Sequence, residues 1–336
     1  MAGYLIVGGY GHVGQRIAAR LVRAGAAGVR IAGRDGARAR STAAALGCEG
    51  AVIDMADPAG WDAALDGIGT VVVCIDLATA DFPATVLGRG LAYIDISATD
   101  AVLARVEALD GLARRSGGSA VLSVGLAPGL TNLMAREVVA DLDRPVGVTI
   151  GVLLGLGDAH GAAAVDWTLD NLQPLGPGEI VPLDFGVPGR AVPTIPFAFA
   201  DQHVLMRRHG WPSVTTRLGF ASPLIGASSL RLLSGLARRD WFRRLLRWSM
   251  ARFRLGSDRT ALAVEAVGKG GRRRRLALEG RAEAEITALI AARVALLLRE
   301  APRAGVHHIE ELWALGDFAR ELAAEGIAVH AEGRGG

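Results

Sequence analysis

Cysteine is scarce in this 336-residue chain, two in all. Cys48 and Cys74 fall inside strand-and-helix patterning, which excludes a disulfide framework and leaves the fold to its core. Zinc-type Cys/His spacing is missing too, so no metal site is expected. Long apolar runs are absent: nothing approaches the ~18 consecutive apolar residues of a membrane span. The longest candidates are Val71–Ile75 and Leu289–Leu298, and Arg293 interrupts the second. No basic n-region or cleavage site precedes the first apolar run at Tyr4, so a cytoplasmic protein is expected. There is no internal repeat and no low-complexity tract. The net charge is only +3, with the basic excess in 231–254 and 272–275. No nucleic-acid motif accompanies it, so no nucleic-acid partner is expected.

What the chain does have is apolar material, 51% of its residues, and length enough for two domains of about 100–200 residues each. Its most informative stretch is Tyr4–Gly14. Four apolar or aromatic residues run into Gly8-Gly9-Tyr10-Gly11-His12-Val13-Gly14, and Gly9, Gly11 and Gly14 satisfy G-x-G-x-x-G. In a dinucleotide-binding turn the first glycine permits the tight turn and the second lets a pyrophosphate approach the backbone. The third lets the helix lie on the strand. The motif alone is weak in a chain with 45 glycines. Context strengthens it: Val13, Ile17 and Leu21 share one helix face, and Val29–Ala32 reads as a second strand. Tyr10, His12 and Val13 lie within the phosphate turn.

About 20 residues past the turn, an acidic side chain would hold a ribose 2′-hydroxyl and select NAD(H). Here Arg34 stands first, with Asp35 beside it and Arg38 close behind. A guanidinium fork suits a 2′-phosphate, so the cofactor reads as NADP(H). NAD(H) stays the alternative, because Asp35 could turn inward.

Strands continue at Ala51–Asp54, Val71–Ile75, Ala92–Ile96 and Ala120–Val124, with helices between. The fold class is therefore α/β: an N-terminal doubly wound parallel sheet of Rossmann type, then a second α/β substrate and dimerisation domain. Ligands should lie beyond the carboxyl ends of the strands. Asp54 and Met55 should border an adenine ring, Cys74 a ribose or nicotinamide, and Pro128 and Gly129 the nicotinamide. Simple strand packing is the competing reading of Cys74. Asp95 and Ser97, at another strand end, either position substrate or cap the next helix.

After Arg144-Pro145 the pattern changes. Val146–Leu154 reads as a strand, 162–172 as a helix, and Pro174–Pro196 as an extended segment across the substrate side. Ser228–Phe253 reads as one long basic helix with Trp241, Leu245 and Trp248 on one face. That face either packs on the domain or a dimer partner, or meets a membrane surface. Ala261–Val267 and Arg274–Glu279 read as a hairpin, and 284–298 as a helix.

These residues resemble the saccharopine dehydrogenase-like oxidoreductases. The likeness is carried by Gly9–Gly14, Ala32-Gly33-Arg34-Asp35, Tyr93-Ile94-Asp95-Ile96-Ser97 and Gly125–Asn132. The closing Gly305-Val306, Glu310-Glu311-Leu312 and Gly326-Ile327 also take part. It covers residues 1–140 and 260–330 well and 150–255 poorly. It implies a dinucleotide domain over 1–130, a substrate and dimerisation domain over 131–300, and a closing segment, 301–336, returning to the first. The implied chemistry is hydride transfer at a carbon–nitrogen bond of an amine, imine or amino-acid-like substrate, in a homodimer. Reduction of an activated C=C or C=O, and a non-catalytic dinucleotide-binding module, are the alternatives. Ala127 stands where saccharopine-reducing members carry Asp, so the loop looks closer to the lysine dehydrogenase branch.

Hydride transfer needs a group to handle one proton. Asp158 and His160, in a glycine-flanked loop after a strand, are the first candidates; capping the next helix is their other reading. Asp166 and Trp167 follow, by charge and by cation–π contact with an amine, against core packing for Trp167. His307 and His308 are adjacent and point apart if extended, which disfavours a metal pair.

Overall fold

The computed structural model describes residues 2–155, 162–186, 191–222, 225–237, 239–242, 244–245 and 257–332. In chain order the strands are β1 (Gly3–Val7), β2 (Val29–Gly33), β3 (Glu49–Val52), β4 (Ile68–Val73), β5 (Ala92–Asp95), β6 (Ser119–Leu122) and β7 (Pro145–Leu154). Then come β8 (Val181–Asp184), β9 (Ala191–Pro196), β10 (Val214–Phe220), β11 (Arg259–Gly268), β12 (Arg273–Arg281), β13 (Gly305–His308) and β14 (Ala328–Glu332). They divide between two units: Met1–Asn132 with Ala284–Ala314, and Leu133–Glu283 with Leu315–Gly336.

The first unit is built on a seven-stranded sheet in the order β13-β6-β5-β4-β1-β2-β3. Every pairing in it is parallel. Apolar runs buried on both faces make this arrangement stable, since helices cover each side. The helix Gly14–Arg23 buries Gly14, Ile17, Ala18 and Leu21 and places Arg20 and Arg23 in its last turn, where cations suit the dipole. Strand order reverses between β1 and β4, the crevice where doubly wound sheets bind nucleotides. The ladders end earlier than the apolar runs do: β3 closes at Val52 and β6 at Leu122.

The seventh strand, β13, was not legible as a strand. Its four residues include two histidines and form no apolar run; pairing with β6, His308 beside Leu122, makes it one. The units are also cut differently from the expected segments. The helix Glu283–Glu300 sends Glu285 to Arg16 and Arg20 of the first unit, at 2.7 and 3.0 Å. The end of the chain adds β14 to β12 of the second.

The second sheet has the order β14-β12-β11-β7-β10-β9-β8. β7 and β10 run parallel; the other pairs are antiparallel. The segment expected as merely extended between Pro174 and Pro196 contains the antiparallel pair β8–β9. Leu183 and Phe185 press on Gly151, where a Cβ would stand 3.0 Å from each. With Leu153, Ala261 and Ala263, Phe185 forms a buried cluster. The expected long helix from Ser228 is interrupted: one helix runs Ala227–Leu236 and ends at Ala237, and 240–242 and 244–245 are helical again. Trp248 and Phe253 lie outside the described residues. Trp241 and Leu245 are exposed. Among the described residues no helix is long and apolar enough to cross a membrane.

Candidate functional site

The carboxyl ends of β1–β6 gather the residues that the sequence marks. Gly8 carries the positive φ of the turn, +75°, so the residue that permits the tight turn is Gly8, one position before the motif. Gly9 is required by space instead: a Cβ there would lie 2.5 Å from Cβ of Ile31. At Gly14 a Cβ would meet the Gly8 carbonyl oxygen at 2.5 Å and Gly9 Cα at 2.8 Å, so only glycine lets this helix start against the turn. Val13 precedes the helix without a side-chain cap, and no acidic residue sits in the first turn. A helix start of that composition is suited to an anion. Ile75 is 41% exposed beside the turn, its Cγ2 where a Gly8 side chain would be. An apolar surface next to a phosphate turn fits a ligand carrying both phosphates and rings. Sequence reading set Ile75 at a strand end where ligands are expected but gave it no role, because it looked like the end of a buried strand.

Tyr10 leaves the phosphate turn and lies over the end of β2. Its hydroxyl accepts the Asp35 backbone N–H at 3.2 Å, and its ring packs on Gly33. The Arg38 guanidinium stacks on that ring, 4.8 Å from the centroid. The Asp35 carboxylate accepts the Arg38 backbone N–H at 3.0 Å and caps the helix Gly36–Leu46. Of the two ways Asp35 could face, the structure has the cap. Arg34 and Arg38 are exposed. Asp54 follows β3, with its Oδ1 accepting the Ala56 N–H at 3.0 Å; Met55 next to it is half-buried.

Beyond β4 and β5 lies a chain of short hydrogen bonds. Tyr93 donates to Asp95 Oδ2 at 2.7 Å and the Ser97 N–H donates to Oδ1 at 2.8 Å. Ser97 and Thr99 hydroxyls donate to Asp76 at 2.7 and 2.6 Å. Burial pushes the Asp95 carboxyl up to about 6 against the opposing pull of Tyr93 and Ser97, with Asp76 adding to the rise. Burial, helped by Asp95, also pushes the Cys74 thiol up, so Cys74 stays a thiol at neutral pH. Sequence reading placed Asp76 at the ligand-facing end of β4 without giving it a role and did not single out Thr99; only the topology brings both to Ser97.

After β6 the chain turns sharply. Ser123 has φ +55°, a left-handed conformation that costs a non-glycine residue about 1–2 kcal/mol. Its Oγ lies 2.8 Å from Nδ1 of His308, whose Nε2 lies 3.0 Å from Glu107. His307 faces the other way, with Nε2 3.4 Å from the Ala304 carbonyl oxygen. The loop with Pro128 and Gly129 follows. It is held by Leu130 N–H on the Gly125 carbonyl (2.9 Å) and by Leu126 N–H on the Thr287 hydroxyl (3.2 Å).

The proton-handling candidates are less defined. Asp158 and His160 lie outside the described residues. Asp166 is half-buried on the helix Ala162–Asn171. Trp167 packs its ring 5.4 Å from both Phe197 and Phe199, which is the core reading of that residue. The second unit also holds a cavity of about 250 Å³ lined by Thr149, Leu183, Asp184, Ala263, Glu265 and Arg275. Arg217 is buried there without having been anticipated. It donates to the Thr194 hydroxyl and carbonyl at 3.0 and 3.1 Å and to the Glu179 carbonyl.

Strand order, glycine turn and bare helix start together define a Rossmann-type dinucleotide fold followed by a second α/β unit. No family model matches the sequence, and no curated protein matches it. Among solved structures the fold is shared with apo saccharopine dehydrogenase (L-Glu forming) from Saccharomyces cerevisiae. The TM-score is 0.64 at 13% identity, over 99% of this chain and 100% of that one. A meso-DAP dehydrogenase mutant with DAP, from Clostridium tetani, gives a TM-score of 0.50 at 13% identity, over 96% of this chain and all of its own. The fold is thus saccharopine dehydrogenase-like, as the sequence motifs suggested; at this identity the likeness is one of fold.

Proposed function

We propose that this chain is an NADP(H)-dependent oxidoreductase that transfers hydride at a carbon–nitrogen bond of a small amine, imine or amino-acid-like substrate. The observation that carries the reading is the joint use of Tyr10, Asp35 and Arg38. Tyr10 comes out of the phosphate turn and supports the Arg38 guanidinium at the end of β2, while Asp35 is spent on capping. That end of the sheet therefore offers cations and no inward carboxylate, the polarity a 2′-phosphate needs.

The residues fit such a cofactor. Gly9, Gly11 and Gly14, with His12 and Val13 at the helix start, would hold the pyrophosphate. Arg34 and Arg38 would hold the 2′-phosphate, and Asp54 and Met55 would border the adenine. Cys74 and Ile75 would face the ribose and nicotinamide, and Pro128 and Gly129 would close that end. When bound, the cofactor supplies or accepts a hydride at its nicotinamide ring. The chain's part is to orient the ring, exclude water and move one proton. His160 and Asp158 are our candidates for the proton, and Asp166 for pairing with a cationic amine. We place homodimerisation in the second unit. The likeness in fold to saccharopine dehydrogenase and to a meso-DAP dehydrogenase crystallised with DAP supports the carbon–nitrogen assignment.

The test is transfer of deuterium from C4-deuterated NADPH to a panel of imines formed from amino acids and keto acids. Stereospecific label in the amine product is expected. Label appearing only in products of activated C=C or C=O compounds, or in no product at all, would overturn the assignment.

A further inference from the structure

We propose that Ser123, His308 and Glu107 form a buried tether that sets the loop Gly125–Asn132 for the nicotinamide end of the cofactor, with Ser123 and His308 as positioning residues. This rests on the dinucleotide reading above.

The backbone at Ser123 adopts a conformation that favours glycine, φ +55°. The same loop uses glycine at Gly129, where φ is +139°. A serine at the strained position is explained by its hydroxyl, 2.8 Å from His308 Nδ1. Glu107 accepts at 3.0 Å from Nε2 of His308, and the other ring nitrogen, Nδ1, meets the Ser123 hydroxyl, so one imidazole bridges the two residues. Ser123 and His308 are fully buried and the Glu107 side chain is 12% exposed. A nucleophile with its base would need an open face; here no acyl group can reach Oγ. What the three residues do is join the last strand of the sheet, β13, to the point where β6 gives way to the loop.

That point controls the loop's path. Gly129 folds back on Ser123 so closely that a Cβ on it would lie 3.1 Å from the Ser123 carbonyl oxygen. The Gly129 N–H then donates to Asn132 Oδ1 at 3.2 Å, and Leu130 N–H closes on Gly125. Moving Ser123 moves Gly129 with it. In doubly wound sheets the adenosine half lies on the first three strands and the nicotinamide half on the far side of the switch point. Loss of the tether should therefore weaken one half of the cofactor and leave the other.

The experiment measures binding of NADPH and of adenosine 2′,5′-bisphosphate, which lacks the nicotinamide half, to the parent and to Ser123→Gly, Ser123→Ala and Glu107→Gln. Ser123→Gly accommodates the backbone conformation and so folds even if Ser123→Ala does not. We expect Ser123→Gly to bind NADPH about tenfold more weakly while bisphosphate binding stays within about twofold. Glu107→Gln keeps an acceptor but removes the charge beside His308, so whatever weakening it shows should fall on NADPH and leave the bisphosphate within about twofold. Ser123→Gly binding NADPH like the parent, or both ligands weakening in parallel, would overturn the tether. A parent that binds neither ligand removes the cofactor reading and this proposal with it, so the two failures appear in different proteins.

Discussion

Single residues carry much of the account. Gly14 has its helix against the Gly8 carbonyl with no room for a methyl group. Gly14→Ala should lower stability by about 1–3 kcal/mol, as overpacking does, and weaken nucleotide binding as well. Thermal unfolding and titration read the two effects. Asp95 gives a pH signature. Its carboxyl ionises near 6 in the folded chain and near 3.8 unfolded. Between those values the folded state holds a proton that the unfolded state has released. Stability therefore falls as pH rises from about 4 to about 6, by roughly 3 kcal/mol at most, and then levels off. Asp95→Asn has no such group, so the parent's melting temperature should drop relative to the variant's across that interval; parallel curves would contradict it. At this scale the sequence was uneven. The glycine spacing was legible because chemistry demands it. The φ of Gly8 and Ser123 was not, since nothing in residue order reveals which position turns left-handed.

Elements were read better than their ends. The alternation of apolar runs and helices was enough for a parallel doubly wound sheet, because strands buried on both faces have few alternatives. β13 escaped, since a four-residue edge strand gets its structure from pairing rather than from its own pattern. The helix from Ser228 was read as continuous because the apolar and basic rhythm carries on past Ala237, where the first helix has ended and helical residues resume at 240. The helix Glu283–Glu300 serves two neighbours, through Glu285 to Arg16 and Arg20 and through Thr287 to the loop at Leu126. Glu285 is 39% exposed, so solvent screens its ion pairs. Glu285→Ala should cost about 1 kcal/mol or less in stability. A larger loss in chemical denaturation would show that the pairs are more than surface contacts.

For the whole molecule, two units of α/β type agree with the class read from the sequence, while the path of the chain between them was not legible. Residues 284–314 return to the first unit and 315–336 to the second. Pattern identifies elements; only pairing says which sheet receives them. The second unit leaves Trp241, Leu232 and Leu245 exposed, 56%, 65% and 50%, which is costly surface for an isolated subunit. We expect a homodimer through this unit, checked by light scattering at micromolar concentration; a monomer would count against it. Cofactor choice rests on Arg34 and is read by titrating the parent and Arg34→Ala with NADPH and NADH under one set of salt and pH conditions. The parent should bind NADPH more tightly than NADH, and Arg34→Ala should give up roughly 1–3 kcal/mol of NADPH binding with little change for NADH. Equal affinity for the two nucleotides in the parent, or an Arg34→Ala change shared by both, would contradict it.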